Sequence, residues 1–169
     1  VVYFNPQMSL PAFLEPLEQW MKTSEESAAR LTEQFLNATT FGGLIINVLL
    51  MALLPAVAEE LTFRGVLQRL FSSKRHASNN LATQSTPHVA IWCTAIIFSA
   101  IHMQFYGFVP RMLMGALFGY VFVWTGSLWV PIVMHFVNNG MAVLVYYILS
   151  SKGVAMDTNY ADTLGAGTT

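Results

Sequence analysis

The sequence predicts an all-α fold: a polytopic membrane helix bundle with about four transmembrane helices and an N-terminal amphipathic helical segment. Three observations carry this. Of 169 residues, 54% are hydrophobic and only 10% are charged, where a soluble domain carries about 25%. Apart from two histidines, three long stretches hold no ionisable side chain except an occasional Cys or Tyr: 41–58, 89–110 and 112–149. Residues 10–38 differ, with apolar positions recurring at helical spacing among Glu and Lys.

Residues 1–39 read as the amphipathic segment. Phe13, Leu14, Leu17, Trp20, Met21, Ala28, Leu31, Phe35 and Leu36 form its apolar stripe. Thr23-Ser24-Glu25-Glu26 has the form of a capping box and predicts a second helix starting there. Such a pair suits the membrane surface or the cover of a bundle. Residues 40–150 read as the transmembrane core, with spans at 41–63, 89–104, 108–124 and 128–149. The last two come from one run of 38 residues, about 57 Å as a single helix and too long for one crossing. It breaks at Thr125-Gly126-Ser127, between Trp124 and Trp129, residues that favour a membrane interface. Pro110 suits the first turn of the third span. Gly115 and Gly119 make a small-xxx-small pair for close helix packing. Residues 151–169 read as a flexible tail.

Net charge is −1, so nothing global points to nucleic acid. Arg64, Arg69, Lys74 and Arg75 cluster near the basic, polar loop 72–88, while 1–39 is acidic. The positive-inside rule then puts 64–88 in the cytoplasm, and 1–39 and 150–169 on the other side. Cys93 is the single cysteine, which rules out a disulfide within the chain and reads as a small packing residue. The chain begins at Val1 with neither a start Met nor a signal-peptide pattern, as expected of a piece of a longer protein.

Ionisable groups inside a span are costly and mark function. The candidates are Glu59, Glu60, Arg64, His102, His135 and Asn139, with Asn138 beside the last. Residues four apart share a helix face, so Glu60 aligns with Arg64 and His135 with Asn139. Glu59 is turned about 100° from Glu60, and the two carboxylates need not do the same job. A bland account exists for each: a neutralised ion pair for Glu60 and Arg64, satisfied core histidines for His102 and His135. All of these in one small apolar bundle make a less economical account than a site.

Glu59-Glu60-Leu61-Thr62-Phe63-Arg64, Phe98-Ser99-Ala100-Ile101-His102 and His135-Phe136-Val137-Asn138-Asn139 resemble, in order and spacing, the EExxxR, FxxxH and HxxxN motifs of the CAAX-protease and bacteriocin-processing (Abi) family. The resemblance covers about residues 45–147. It implies an intramembrane endopeptidase in which Glu59 and His102 hold and deprotonate a water. His135 and Asn139 would serve the oxyanion, and Glu60 and Arg64 would orient the helix. Its expected partners are a protein or peptide substrate at the membrane and the lipid bilayer, with no nucleic acid. Its expected location is the cell (inner) membrane, as a multi-pass protein.

No cofactor is expected on this reading. A zinc site made of Glu59, His102 and His135 is the alternative, although HExxH is absent. Two non-protease classes also fit an intramembrane Glu and His: a proton relay or transporter, and a non-catalytic bacteriocin-immunity protein. Depth is the unresolved point. Counted from the basic loop, His102 lies about 20 Å deep and His135 only about 12 Å, so a shared site needs unequal helices or other span ends.

Overall fold

A computed structural model describes residues 11–36, 39–72 and 87–152. They are almost wholly helical, with no strand among them. Helix α1 (Glu15–Leu36) follows a short 3-10 turn. Helix α2 is continuous over Phe41–Ser72, α3 spans Pro87–Ile101, α4 Phe108–Thr125 and α5 Trp129–Ser151. Three of these, α2, α4 and α5, are long and apolar enough to cross a membrane; α3 is apolar but shorter. The bundle of about four apolar helices that the composition predicts is present.

Local sequence explains the ends. The Thr40 hydroxyl accepts from the Gly43 N–H at 3.1 Å and caps α2. Pro87 takes the first position of α3, where its missing N–H costs nothing. The expected break at Thr125-Gly126-Ser127 is real: Gly126 ends α4 at φ 65°, a left-handed conformation that glycine adopts freely. Trp124 and Trp129 flank it, both exposed.

Four expectations change. Residues 15–36 form one helix, not two. The Thr23 and Ser27 hydroxyls donate back to the carbonyls of Gln19 and Thr23, so Thr23 does not cap a new helix start. The first span runs on to Ser72 instead of ending at residue 63. Cys93 is exposed on the outer face of α3 and does not pack in the core. Arg64 is fully buried within the bundle, which leaves Arg69, Lys74 and Arg75 as the positive signal for orientation. Most of loop 72–88 and of the tail lies outside the described residues.

Helices α2 and α4 run parallel. The Arg64 guanidinium donates to the Gly115 carbonyl at 2.7 Å, and the Gln68 amide to the Gly119 carbonyl at 3.1 Å. The two glycines, expected as a packing pair, expose the backbone that these polar side chains reach. Helix α3 lies antiparallel to α4, with Ile91, Ala95 and Ala116 as the centre of the contact. Fully buried Ala52 and Ala56 mark where α5 packs on α2. Leu54, Val66, Leu70, Ile101 and Val133 point outward, the apolar surface a bilayer would cover.

A β-carbon on Gly119 would lie 2.9 Å from both Gln68 Oε1 and Ile91 Cγ2. Gly119→Ala should therefore overpack the α2–α3–α4 junction and cost about 1–3 kcal/mol. Gly42→Ala, with nothing within 4 Å, should be neutral or slightly stabilising. Thermal unfolding of both variants in detergent checks this; equal melting temperatures would contradict the packing.

Candidate active site

Helix α2 supplies the centre of the site, and its local structure is unusual. Two stretches, Val48–Leu53 and Leu61–Gln68, are π-helical. Such wide turns are rare and concentrate at functional sites. Between them, Pro55 has no N–H to return to the Met51 carbonyl four residues earlier. Asn139 Nδ2, on α5, donates to that carbonyl at 3.4 Å.

Glu60 and Arg64 form the ion pair that their spacing predicts, at 2.8 Å with both side chains fully buried. The same carboxylate oxygen lies 2.8 Å from His135 Nδ1. Gln68, one further turn along, completes a polar row on the inner face of α2. Aromatic rings enclose this row. Arg64 lies over the rings of Phe98 and Phe118, at 5.1 and 5.6 Å from their centroids. His135 stacks on Phe118 at 5.5 Å. The π faces are negative and favour the guanidinium.

Glu59 turns to a different place, as its position beside Glu60 predicts. Its carboxylate is partly open, 28% exposed, and faces both imidazoles: Oε1 lies 4.0 Å from His102 Nε2, and Oε2 lies 3.7 Å from His135 Nε2. These gaps exceed a direct hydrogen bond and suit a small bridging species. The other ring nitrogens fix the proton positions. His102 Nδ1 is 2.7 Å from the Phe98 carbonyl, which only accepts, so this nitrogen carries the proton. His135 Nδ1 likewise donates to the Glu60 carboxylate. With neutral rings, both Nε2 atoms present lone pairs beside the Glu59 carboxylate.

The turn from α3 to α4 places His102 just beyond the last residue of α3. Met103 adopts φ 54°, and its N–H bonds the Ala100 carbonyl at 3.1 Å. A left-handed non-glycine residue is strained, and such strain gathers near functional sites. Ser99 Oγ donates to the Phe108 carbonyl at 2.7 Å and fastens the two helices across the turn.

The depth problem resolves through unequal helices. Leu128 Cδ1 lies 3.5 Å from where a β-carbon on Gly65 would sit, so α5 begins level with Gly65 and not with the end of α2. His88 Nδ1 meets the Tyr120 hydroxyl at 2.8 Å, placing the start of α3 beside the residue that follows Gly119. His102 and His135 thereby reach the level of Glu59 on helices that start at different depths. Glu59, Glu60, Arg64, His102 and His135 come together. Asn139 sits one turn along α5 from His135, with Asn138 Nδ2 donating to its Oδ1 at 3.2 Å. Sequence reasoning missed Gln68 and Arg111. Gln68 continues the Glu60–Arg64 row beyond the expected end of the span, and Arg111 stands between the apolar runs 89–110 and 112–149.

An apolar helical bundle holding a carboxylate and two imidazoles at one point defines a membrane-embedded protein with an acid–base cluster inside it. Residues 41–141 match the model of the type II CAAX prenyl endopeptidase Rce1-like family. The chain belongs to that family of membrane-embedded proteases, and all three motifs lie within the match. Over 97 residues it is 31% identical to the uncharacterized protein YpbD of Bacillus subtilis (strain 168), covering 55% of this chain and 42% of that protein. The chain thus spans less than half the length of this relative. No solved structure matches it.

Proposed function

We propose that the protein hydrolyses a peptide bond of a membrane-adjacent protein or peptide, using a water held between Glu59 and the two Nε2 atoms. The observation that carries this reading is the convergence of three acceptors on one partly open point. A water offers two protons to such a place. Glu59 takes one of them as general base while the oxygen attacks the scissile carbonyl, then gives it to the amide nitrogen as the C–N bond breaks, releasing the amine and leaving the new carboxyl group. His102, anchored through Nδ1, keeps the water in line. The oxyanion needs donors. His135 supplies one in its doubly protonated form, in which Nε2 is a donor and the water rests on Glu59 and His102, with the Glu60 carboxylate as the counter-charge on the far side of the ring. Asn139 supplies another by turning its amide from the Met51 carbonyl. The family description points to a prenylated CAAX protein as one substrate class. The basic residues after Arg64 support a cytoplasmic placement for the connection between α2 and α3.

Three converging acceptors also suit a cation, which keeps the zinc reading in play as a second mechanism. Among the described residues, no group of three His, Cys, Asp or Glu side chains is gathered closely enough to hold a metal ion as placed. On the metal-free mechanism, the purified protein should cleave a membrane-adjacent peptide equally well before and after chelation. Activity lost to a chelator and restored by one zinc per chain would overturn it in favour of Glu59, His102 and His135 as ligands.

A further inference from the structure

Arg111 has no place in the chemistry above, yet its position is specific. It stands in the first turn of α4, directly after the turn that leaves His102. Its guanidinium folds back over that turn: Nη1 donates to the Gln104 carbonyl at 3.5 Å and Nη2 to the Gln104 side-chain oxygen. Gly107 makes room for it, since a β-carbon there would lie 3.0 Å from Nη2. Both of these partners are neutral. Burial strips water from the guanidinium, and the charges of Glu25, on α1, and Glu59, at the site, lie within electrostatic reach. Among the described residues neither carboxylate forms an ion pair with it. A half-buried cation whose hydrogen bonds, among the described residues, go to the two neutral oxygens of Gln104, with donors to spare, is suited to a carboxylate from outside the chain. Helix α1 borders the same place, with Trp20 against Phe105 of the turn at 5.2 Å between ring centroids.

We propose that Arg111 receives a carboxylate of the substrate beside the Glu59 cluster, as a specificity determinant that fixes which side of the scissile bond carries that charge. The proposal rests on the reading of that cluster as the hydrolytic site. The carboxylate belongs either to the chain terminus of the substrate or to an Asp or Glu side chain near the cut. Arg111 takes no part in proton transfer, so its loss should raise KM and leave kcat within a few-fold.

Three fluorescent farnesylated peptides ending in a CAAX sequence separate the possibilities: the free acid, the C-terminal amide, and the amide with Asp as its last residue. Binding is measured by anisotropy on Glu59→Gln protein, which keeps the site and removes the base, and cleavage is measured on the native protein. The acid should bind about 10–100-fold tighter than the plain amide, the worth of one charged hydrogen-bonded contact. Adding Arg111→Gln should abolish that preference. Arg111→Lys, which keeps the charge and the fold but loses the fork, should retain only part of it. Affinity restored by the Asp amide identifies a side-chain carboxylate as sufficient; no restoration identifies the terminus. Equal binding of acid and amide to Arg111-intact protein, or an acid preference that survives Arg111→Gln, overturns the proposal. An acid preference that depends on Arg111, without cleavage by native protein, upholds it and defeats the hydrolytic reading instead.

Discussion

Glu59→Gln should lower peptide cleavage by about 10²–10⁴-fold while leaving the bundle folded. The substitution keeps size and most hydrogen bonding and removes the one partly open carboxylate facing His102 and His135. Among the described residues Glu59 makes no contact shorter than 3.7 Å to a charged partner, so melting in detergent should change little. The measurement is cleavage of a membrane-adjacent peptide beside thermal unfolding of the same preparation. Normal cleavage by Glu59→Gln would make this carboxylate structural and end the hydrolase reading.

Arg64→Ala should do the opposite: unfold the protein at markedly lower temperature, with a loss of about 3–5 kcal/mol. Arg64 is fully buried, and its removal strands the Glu60 carboxylate and the Gly115 carbonyl together. It also leaves a void between Phe98 and Phe118. Arg64→Lys should recover only part of the loss, because one ammonium cannot serve Glu60 and Gly115 in the geometry of a planar fork. Urea or thermal titration of the three proteins in one detergent gives the comparison. An Arg64→Ala protein as stable as the native one would show that the buried pair contributes nothing to the fold. On this proposal two adjacent motif positions, Glu59 and Glu60, divide between chemistry and architecture, and they differ in exposure: 28% against 0%.

The sequence shows its helical membrane character and the separate faces of Glu59 and Glu60, because both follow from composition and the 3.6-residue period. The Glu60–Arg64 pair is readable for the same reason. The contact of His135 with Glu60 is not, since 75 residues separate them and no period links two different helices. The length of α2 is not readable because Arg64 stands at the head of the basic cluster that reads as cytoplasmic. Its burial depends on Glu60, Gly115 and two aromatic rings that only the fold assembles. The single helix over 15–36 escaped because Thr23 and Ser27 carry the residue types of a cap but spend their hydroxyls on the preceding turn.

Arg64 and Gln68 hold α4 by its main-chain oxygens, at Gly115 and Gly119. Every amino acid carries that oxygen, so the strongest polar tie between these helices makes no demand on the chemical identity of its acceptor, only on the absence of bulk above it. At these two hydrogen bonds, drift in the side chains of α4 could not be answered by a matching change in α2, because both acceptors are main-chain oxygens. A search for positions that change in pairs would pass over this contact. The tie would surface instead as two places on α4, Gly115 and Gly119, where added bulk meets close neighbours.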